Sequence, residues 1–191
     1  MHDDDKSSAS ADTVADYMSL PLISDIPGMS PHMGRLFSMM THARATTLDA
    51  VDGLSRVEVD HVHDPDSNSI GALLLHIAAV EKLFQCRTFW DRELNDDERV
   101  DWQPALDLGD TGRREIKGQD LPFYVGKLEA ARSITQAEFQ QRDDDWLHTI
   151  TTQSDGRTRN RYFAWFHMFE DELNHRGQIR WLRKRVPSRH G

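Results

Sequence analysis

The chain is short of cysteine, of long apolar runs and of positive charge, and each shortage narrows what it can be. One cysteine, Cys86, occurs in 191 residues. That excludes an internal disulfide and fits a reducing compartment. No stretch approaches the roughly 18 apolar residues that a membrane span requires. The opening Met1-His2-Asp3-Asp4-Asp5-Lys6 is acidic, lacks the apolar core of a secretory signal, and resembles a protease-cleavage remnant. A cytoplasmic location is expected. Lysine and arginine number 23 against 32 aspartate and glutamate, a net charge of -9. Such a surplus of acid argues against nucleic acid, whose affinity comes largely from neutralised phosphates. The basic cluster Arg176, Arg180, Arg183, Lys184, Arg185 and Arg189 reads as cations complementing a helix C-terminus. No internal repeat is present, and no segment beyond a short hairpin reads as strand.

What is there is helical periodicity. Residues 1–28 are Asp-, Ser- and Ala-rich and read as a tail, disordered or pinned along the surface. Residues 29–187 then form one all-α bundle. Its first helix spans about 33–53, where Met33, Leu36, Phe37, Met40, Ala43, Thr47, Leu48 and Val51 keep one buried face. Residues 54–68, with Asp64-Pro65-Asp66, break it. A second, apolar helix runs from Ser69 to about Leu94, capped by Ser67 or Asn68. Residues 95–120 carry Pro104, Gly109, Gly112 and Gly118 and read as a long polar loop of the kind that often has a function. The third helix starts at Asp120 as cap, with Pro122 in its first turn. It ends near Arg142, with Phe123, Val125, Leu128, Ala131, Ile134, Ala137 and Phe139 as apolar positions. Residues 146–158 suggest a short hairpin. A fourth helix, Asn160 to Arg185, stops before Pro187. Four long helices imply a four-helix bundle.

Two stretches carry chemistry. The fourth helix places His167, Asp171 and His175 at i, i+4 and i+8. Neighbours four apart lie on one face about 6 Å apart along the axis; residues eight apart are separated by about 12 Å. Metal–ligand bonds are only about 2 Å long. His167 and His175 therefore do not share one ion, and the pair is either Asp171 with His175 or His167 with Asp171. On the second helix, His76 sits inside Leu73-Leu74-Leu75-His76-Ile77-Ala78-Ala79, an apolar run in which an imidazole needs partners for both ring nitrogens. Three such ligands leave coordination positions for water or substrate. His61-Val62-His63-Asp64 resembles a metal cluster but lies in a loop without a supporting partner. Cys86 stands about 80° round the helix from His76 and reads as a small apolar residue.

Asp171-Glu172-Leu173-Asn174-His175-Arg176-Gly177-Gln178-Ile179 resembles the last-helix motif of the DinB/YfiT-like metalloenzymes, whose usual pattern is His, three residues, His, Arg, Gly, Gln. Asn68-Ser69-Ile70-Gly71 through His76 to Glu81 resembles their second-helix motif, and the order of elements agrees over roughly residues 33–186. The resemblance implies a DinB-type bundle in which His76, Asp171 and His175 hold one zinc, nickel, manganese or iron ion. Asp171 falls where the family more often has histidine. A carboxylate adds negative charge and moves preference toward harder metals. The resemblance leaves His167 lining the pocket, and Asn174 and Gln178 orienting ligands or substrate. Arg176 is expected to pair with Glu172, and Gly177 either permits close helix approach or is merely tolerated.

Members of the resembling family include thiol-dependent S-transferases and a maleylpyruvate isomerase. The implied activity is therefore transfer of a low-molecular-weight thiol to a small electrophile. The 95–120 loop and the C-terminal arginines would then line a pocket for an anionic substrate. Metal-assisted hydrolysis is a second reading, and a non-catalytic bundle acting through homodimerisation or partner binding a third. A homodimer is compatible with all three.

Overall fold

The computed structural model describes residues 22–152 and 156–186. Residues 1–21, 153–155 (with Ser154 and Asp155) and 187–191 (with Pro187 and Arg189) lie outside the described residues. The helices are α1 (Pro31–Val51), α2 (Arg56–Asp60), α3 (Ile70–Phe89), α4 (Asp96–Asp107), α5 (Gly109–Glu115), α6 (Leu121–Phe139), α7 (Asp144–His148) and α8 (Arg161–Arg183). The strands β1 (Ile150–Thr152) and β2 (Thr158–Asn160) form an antiparallel hairpin that pairs Thr151 with Arg159. The helix α7 precedes that hairpin, so the segment from residue 146 is part helix and part strand.

Caps set the helix boundaries. Ser69, rather than Ser67 or Asn68, caps α3 by accepting from the Ala72 amide at 3.1 Å. Asn68 accepts instead from the Gly109 amide. Asp120 caps α6 through Phe123, as its position suggested. Ser30 gives α1 no side-chain cap. Asp144 of α7 takes that role, accepting from the amides of His32 and Met33 and from the Ser30 hydroxyl. Residues 22–28 run along α1. Ile26 is buried, and Gly34 carries no side chain where a Cβ would stand 2.7 Å from the Ile26 nitrogen.

The four long helices close a ring in which α1 packs on α8, α8 on α3, α3 on α6 and α6 on α1. Two apolar clusters fill it. One gathers Val51, Leu73, Leu74, Ile77, Tyr124, Leu128, Ile179 and Leu182; the other gathers Met33, Phe37, Met40, Phe89, Phe139, Trp165 and Met168. Along the chain α3 and α6 both run from the first cluster to the second, so they are parallel, and the connection between them must return the length of the bundle. Residues 95–120 make that return as α4 and α5, not as the expected loop. A capping box starts α4: Asn95 accepts from the Glu98 amide while Glu98 accepts from the Asn95 amide. The α4–α5 junction places Leu108 at φ 54°, a left-handed conformation unusual for a branched side chain.

The buried face of α6 also departs from its apolar periodicity. Phe123 and Ile134 are exposed, whereas Tyr124, Arg132 and Thr135 are buried. Arg132 belongs to a layer that separates the two clusters. Each long helix gives it one charge: Arg44 from α1, Glu81 from α3, Arg132 from α6 and Glu172 from α8. Arg44 donates to Glu172 at 2.8 and 3.2 Å and to Glu81 at 2.9 Å. Arg132 donates to Glu81 at 2.8 and 3.2 Å and to Glu172 at 3.3 Å. The third nitrogen of each guanidinium donates as well, that of Arg44 to the Leu128 carbonyl and that of Arg132 to the Met40 carbonyl. Burial opposes ionisation of Glu81, but the two guanidinium groups beside it outweigh burial and hold its pKa below the usual carboxylate range.

Candidate metal centre

Next to this layer, on the α3–α8 seam, the structure brings together His76, Asp171 and His175. Their ligand-capable atoms all lie within 4.8 Å of one another, and no other such group of three occurs among the described residues. His76 Nε2 stands 3.5 Å from one Asp171 carboxylate oxygen, and His175 Nε2 stands 3.5 Å from the other. The two rings meet edge to face with centroids 4.6 Å apart. Their side chains are 12% and 13% exposed, and that of Asp171 is 29% exposed, so the site is shielded yet reachable.

The other ring nitrogens are committed. His76 Nδ1 lies 2.8 Å from the Ala105 carbonyl of α4. A carbonyl only accepts, so this nitrogen carries the proton and donates. His175 Nδ1 faces the Gln178 amide oxygen at 3.0 Å and donates likewise. In the neutral tautomer each Nε2 then presents a lone pair toward the Asp171 carboxylate. Lone pairs facing a carboxylate need a cation between them, either a proton or a metal ion. Asp171 Oδ2 is buried and has no hydrogen-bond partner. Burial raises the Asp171 pKa, but its contacts with His175 and His76 outweigh burial, and the net direction is well down. Burial lowers the His175 pKa, but its hydrogen bond to Asp171 and that carboxylate's charge outweigh burial, and the net direction is up. The donor set fits a divalent ion. For bonds of about 2 Å, ligand atoms around a tetrahedral ion stand roughly 3.3 Å apart, close to the two 3.5 Å nitrogen–oxygen separations. Imidazoles whose second nitrogen donates to a carbonyl or amide are the usual metal-ligand arrangement.

The remaining candidates separate. Gln178 touches His175, as described. Asn174 is exposed. His167 is exposed, bonded to Glu170 at 3.0 Å and stacked on Phe163, and it stays outside the triad. Arg176 does not pair with Glu172, which the buried layer has claimed; it donates to the Thr46 hydroxyl. A Cβ on Gly177 would meet nothing within 4 Å, so this glycine does not serve close helix approach. His63 packs on Trp181, Asp64 accepts from the Ser67 amide, and Cys86 is fully buried. Part of the C-terminal basic cluster does complement helix ends: Arg185 donates to the Trp181 carbonyl in the last turn of α8, and Arg183 to the Ala50 and Asp52 carbonyls at the end of α1.

Three contributors escaped sequence reasoning. Ala105 acts through its backbone, which no side-chain pattern reveals. Arg44 and Arg132 did leave a signal, a cation inside an apolar stripe on each of two helices. A charged cavity of about 570 Å³ lies at the hairpin end of α3 and α8. It is lined by Phe84, Arg87, Asp91, Arg92, Glu93, Arg159 and Arg161, while a second cavity of about 420 Å³ is lined in part by Arg113, Ile116, Lys117 and Gly118 of the 95–120 segment. Phe84 follows His76 by eight residues, about 12 Å along α3.

The architecture and centre together define a DinB-like helical bundle with two imidazoles and one carboxylate gathered between its second and fourth long helices. The chain belongs to the mycothiol-S-transferase family, whose sequence model matches residues 35–187. A comparison with curated proteins returns no match. No helix among the described residues is long and apolar enough to cross a membrane.

Proposed function

We propose that this chain is a metal-dependent thiol S-transferase. His76, Asp171 and His175 hold one divalent ion (zinc, nickel, manganese or iron), and a low-molecular-weight thiol of the mycothiol class reacts with a small electrophile. The observation that supports this reading is the convergence of the three ligand atoms within 4.8 Å, joined to the family membership. When bound, such an ion supplies Lewis acidity, which lowers the pKa of a thiol and makes it nucleophilic at neutral pH.

The chain's own residues supply orientation. Ala105 and Gln178 fix the protons of both imidazoles on Nδ1 and aim each Nε2 inward. Asp171 brings a full negative charge where a third imidazole would bring none, which softens the centre's Lewis acidity and favours harder metals. The overall transfer forms a bond between the thiol sulfur and an electrophilic carbon. It breaks the bond from that carbon to its leaving group, and the thiol proton departs with the leaving group.

The test is metal content by mass spectrometry on protein purified without chelator, beside His76→Ala and Asp171→Ala, followed by turnover of an alkylating electrophile with and without mycothiol. About one ion per chain, lost in both variants, with product formed only when thiol is added, is the expected result. Turnover without thiol would favour hydrolysis. A parent that takes up no metal would sink both enzymatic readings and leave a bundle that acts through partners.

A further inference from the structure

The buried charges of the bundle are placed with respect to the metal ligands. Of the four long helices, α3 and α8 carry the candidate ligands, and the same two helices supply both buried carboxylates. Glu172 directly follows Asp171. Glu81 follows His76 by five residues, about 7.5 Å along α3 and about 140° round it. The ligands therefore face the α3–α8 seam while the carboxylates face the bundle axis. Both are gripped from the opposite side by one pair of arginines. Arg44 of α1 and Arg132 of α6 each reach both carboxylates, with all six contacts between 2.8 and 3.3 Å. Thr135 adds a 2.8 Å hydrogen bond to Glu81.

Apolar packing resists sliding of one helix along another only softly, since cores repack around small shifts. A metal centre tolerates ligand displacements of a few tenths of an ångström. Planar guanidinium forks that clamp two carboxylates have a narrow geometry. They tie α3 to α8 at one axial offset and one rotation.

We propose that Arg44, Glu81, Arg132 and Glu172 are positioning residues for the metal centre: they lock the register of α3 against α8 and so set the spacing of His76 from Asp171 and His175. This rests on the metal-centre reading above. Stability alone does not require such a layer. Buried ion clusters replaced by apolar groups of similar size are often neutral or stabilising, and specificity of arrangement is their best-attested use.

The test uses two variants of the full chain. The first replaces the whole layer with Arg44→Met, Glu81→Leu, Arg132→Met and Glu172→Leu. The second, Arg132→Lys, keeps the charge and removes the fork. Zinc affinity is measured by competition with a chromophoric chelator, melting temperature by circular dichroism. The nuclear Overhauser contact between the His76 and His175 rings is measured in metal-free protein. The expected result for the apolar variant is a melting temperature equal to or above the parent's, with zinc affinity at least about tenfold weaker and the ring contact reduced. Arg132→Lys is expected to stay folded, with zinc affinity weakened severalfold. Zinc affinity within twofold of the parent and an unchanged ring contact, in a folded variant, would overturn the proposal. If the apolar variant does not fold, Arg132→Lys decides by the same criteria. If the parent binds none of zinc, nickel, manganese and iron, the metal reading fails on its own and the ring contact still decides the register lock.

Discussion

Gly71→Ala and Gly177→Ala are the same substitution in two helices, and the structure assigns them opposite signs. At Gly71 an added Cβ would lie 2.7 Å from Tyr124 Cζ and 2.9 Å from its hydroxyl oxygen. Ordinary carbon contacts are about 3.5–4 Å, so tyrosine or helix must yield by about 1 Å. Tyr124 cannot retreat to solvent, since it is fully buried within the cluster containing Leu128 and Leu74. Overpacking of this kind costs about 1–3 kcal/mol. The gain in helix propensity returns at most about 1 kcal/mol. A net loss of about 1–2 kcal/mol corresponds to a melting temperature lower by roughly 3–6 °C for a chain of this size. At Gly177 a Cβ would touch nothing within 4 Å, so only the propensity term acts and stability rises by about 0.5–1 kcal/mol. The assay is urea denaturation of both variants, with Gly71→Ala repeated in a Tyr124→Leu background. There the clash is gone and the alanine should become neutral or better, a coupling of about 1 kcal/mol or more in the double-mutant cycle. Gly71→Ala matching the parent, or an equal penalty in both backgrounds, would refute the reasoning.

Other outcomes follow from single contacts. Tyr124→Phe removes a hydroxyl that is buried without a partner, so it should leave stability unchanged or raised in the same denaturation assay. Gln178→Ala releases the Nδ1 proton of His175 and should weaken zinc binding by about tenfold, read by chelator competition with the melting temperature unchanged. Asp144→Ala removes the side chain that caps α1 and should cost about 1 kcal/mol at neutral pH. Burial raises the Asp144 pKa, but its hydrogen bonds from Ser30, His32 and Met33 outweigh burial and lower it. A depressed folded-state pKa stabilises above the unfolded carboxylate's value of about 3.9 and is lost as pH falls below it. The gap between parent and Asp144→Ala should therefore narrow on acidification below about pH 4. A gap that stays constant would remove the capping role.

The helical class and the three candidate ligands were legible because each has a one-dimensional signature. Apolar spacing marks α1, α3 and much of α8, and His76, Asp171 and His175 sit at turn-length intervals or inside an apolar run. The crossover was not legible as helix. Pro104 and three glycines between residues 95 and 120 look like loop punctuation, and the Asn95–Glu98 capping box counts against them only once seen. The α6 face misled for another reason. Its buried side includes Arg132 and Thr135, residues that are ordinarily exposed, and their burial depends on Glu81, 51 and 54 residues away from them in the chain. Arg176 and Glu172 likewise have the spacing of a helix-surface pair, but Glu172 faces the bundle axis, and its partners come from helices that no local window contains.

The charge layer also bears on how the chain folds. Removing any one of the four long helices leaves the layer with an uncompensated charge in a low-dielectric interior, because each helix contributes one member. A partly assembled bundle of three helices therefore lacks a cheap resting state. Its apolar clusters could begin to pack, yet its charges would stay unsatisfied until the last helix docks. Of these four helices α8 is the last to leave a ribosome, and it brings Glu172. Release of that segment should accordingly coincide with the loss of a loosely packed intermediate and the onset of all-or-none unfolding.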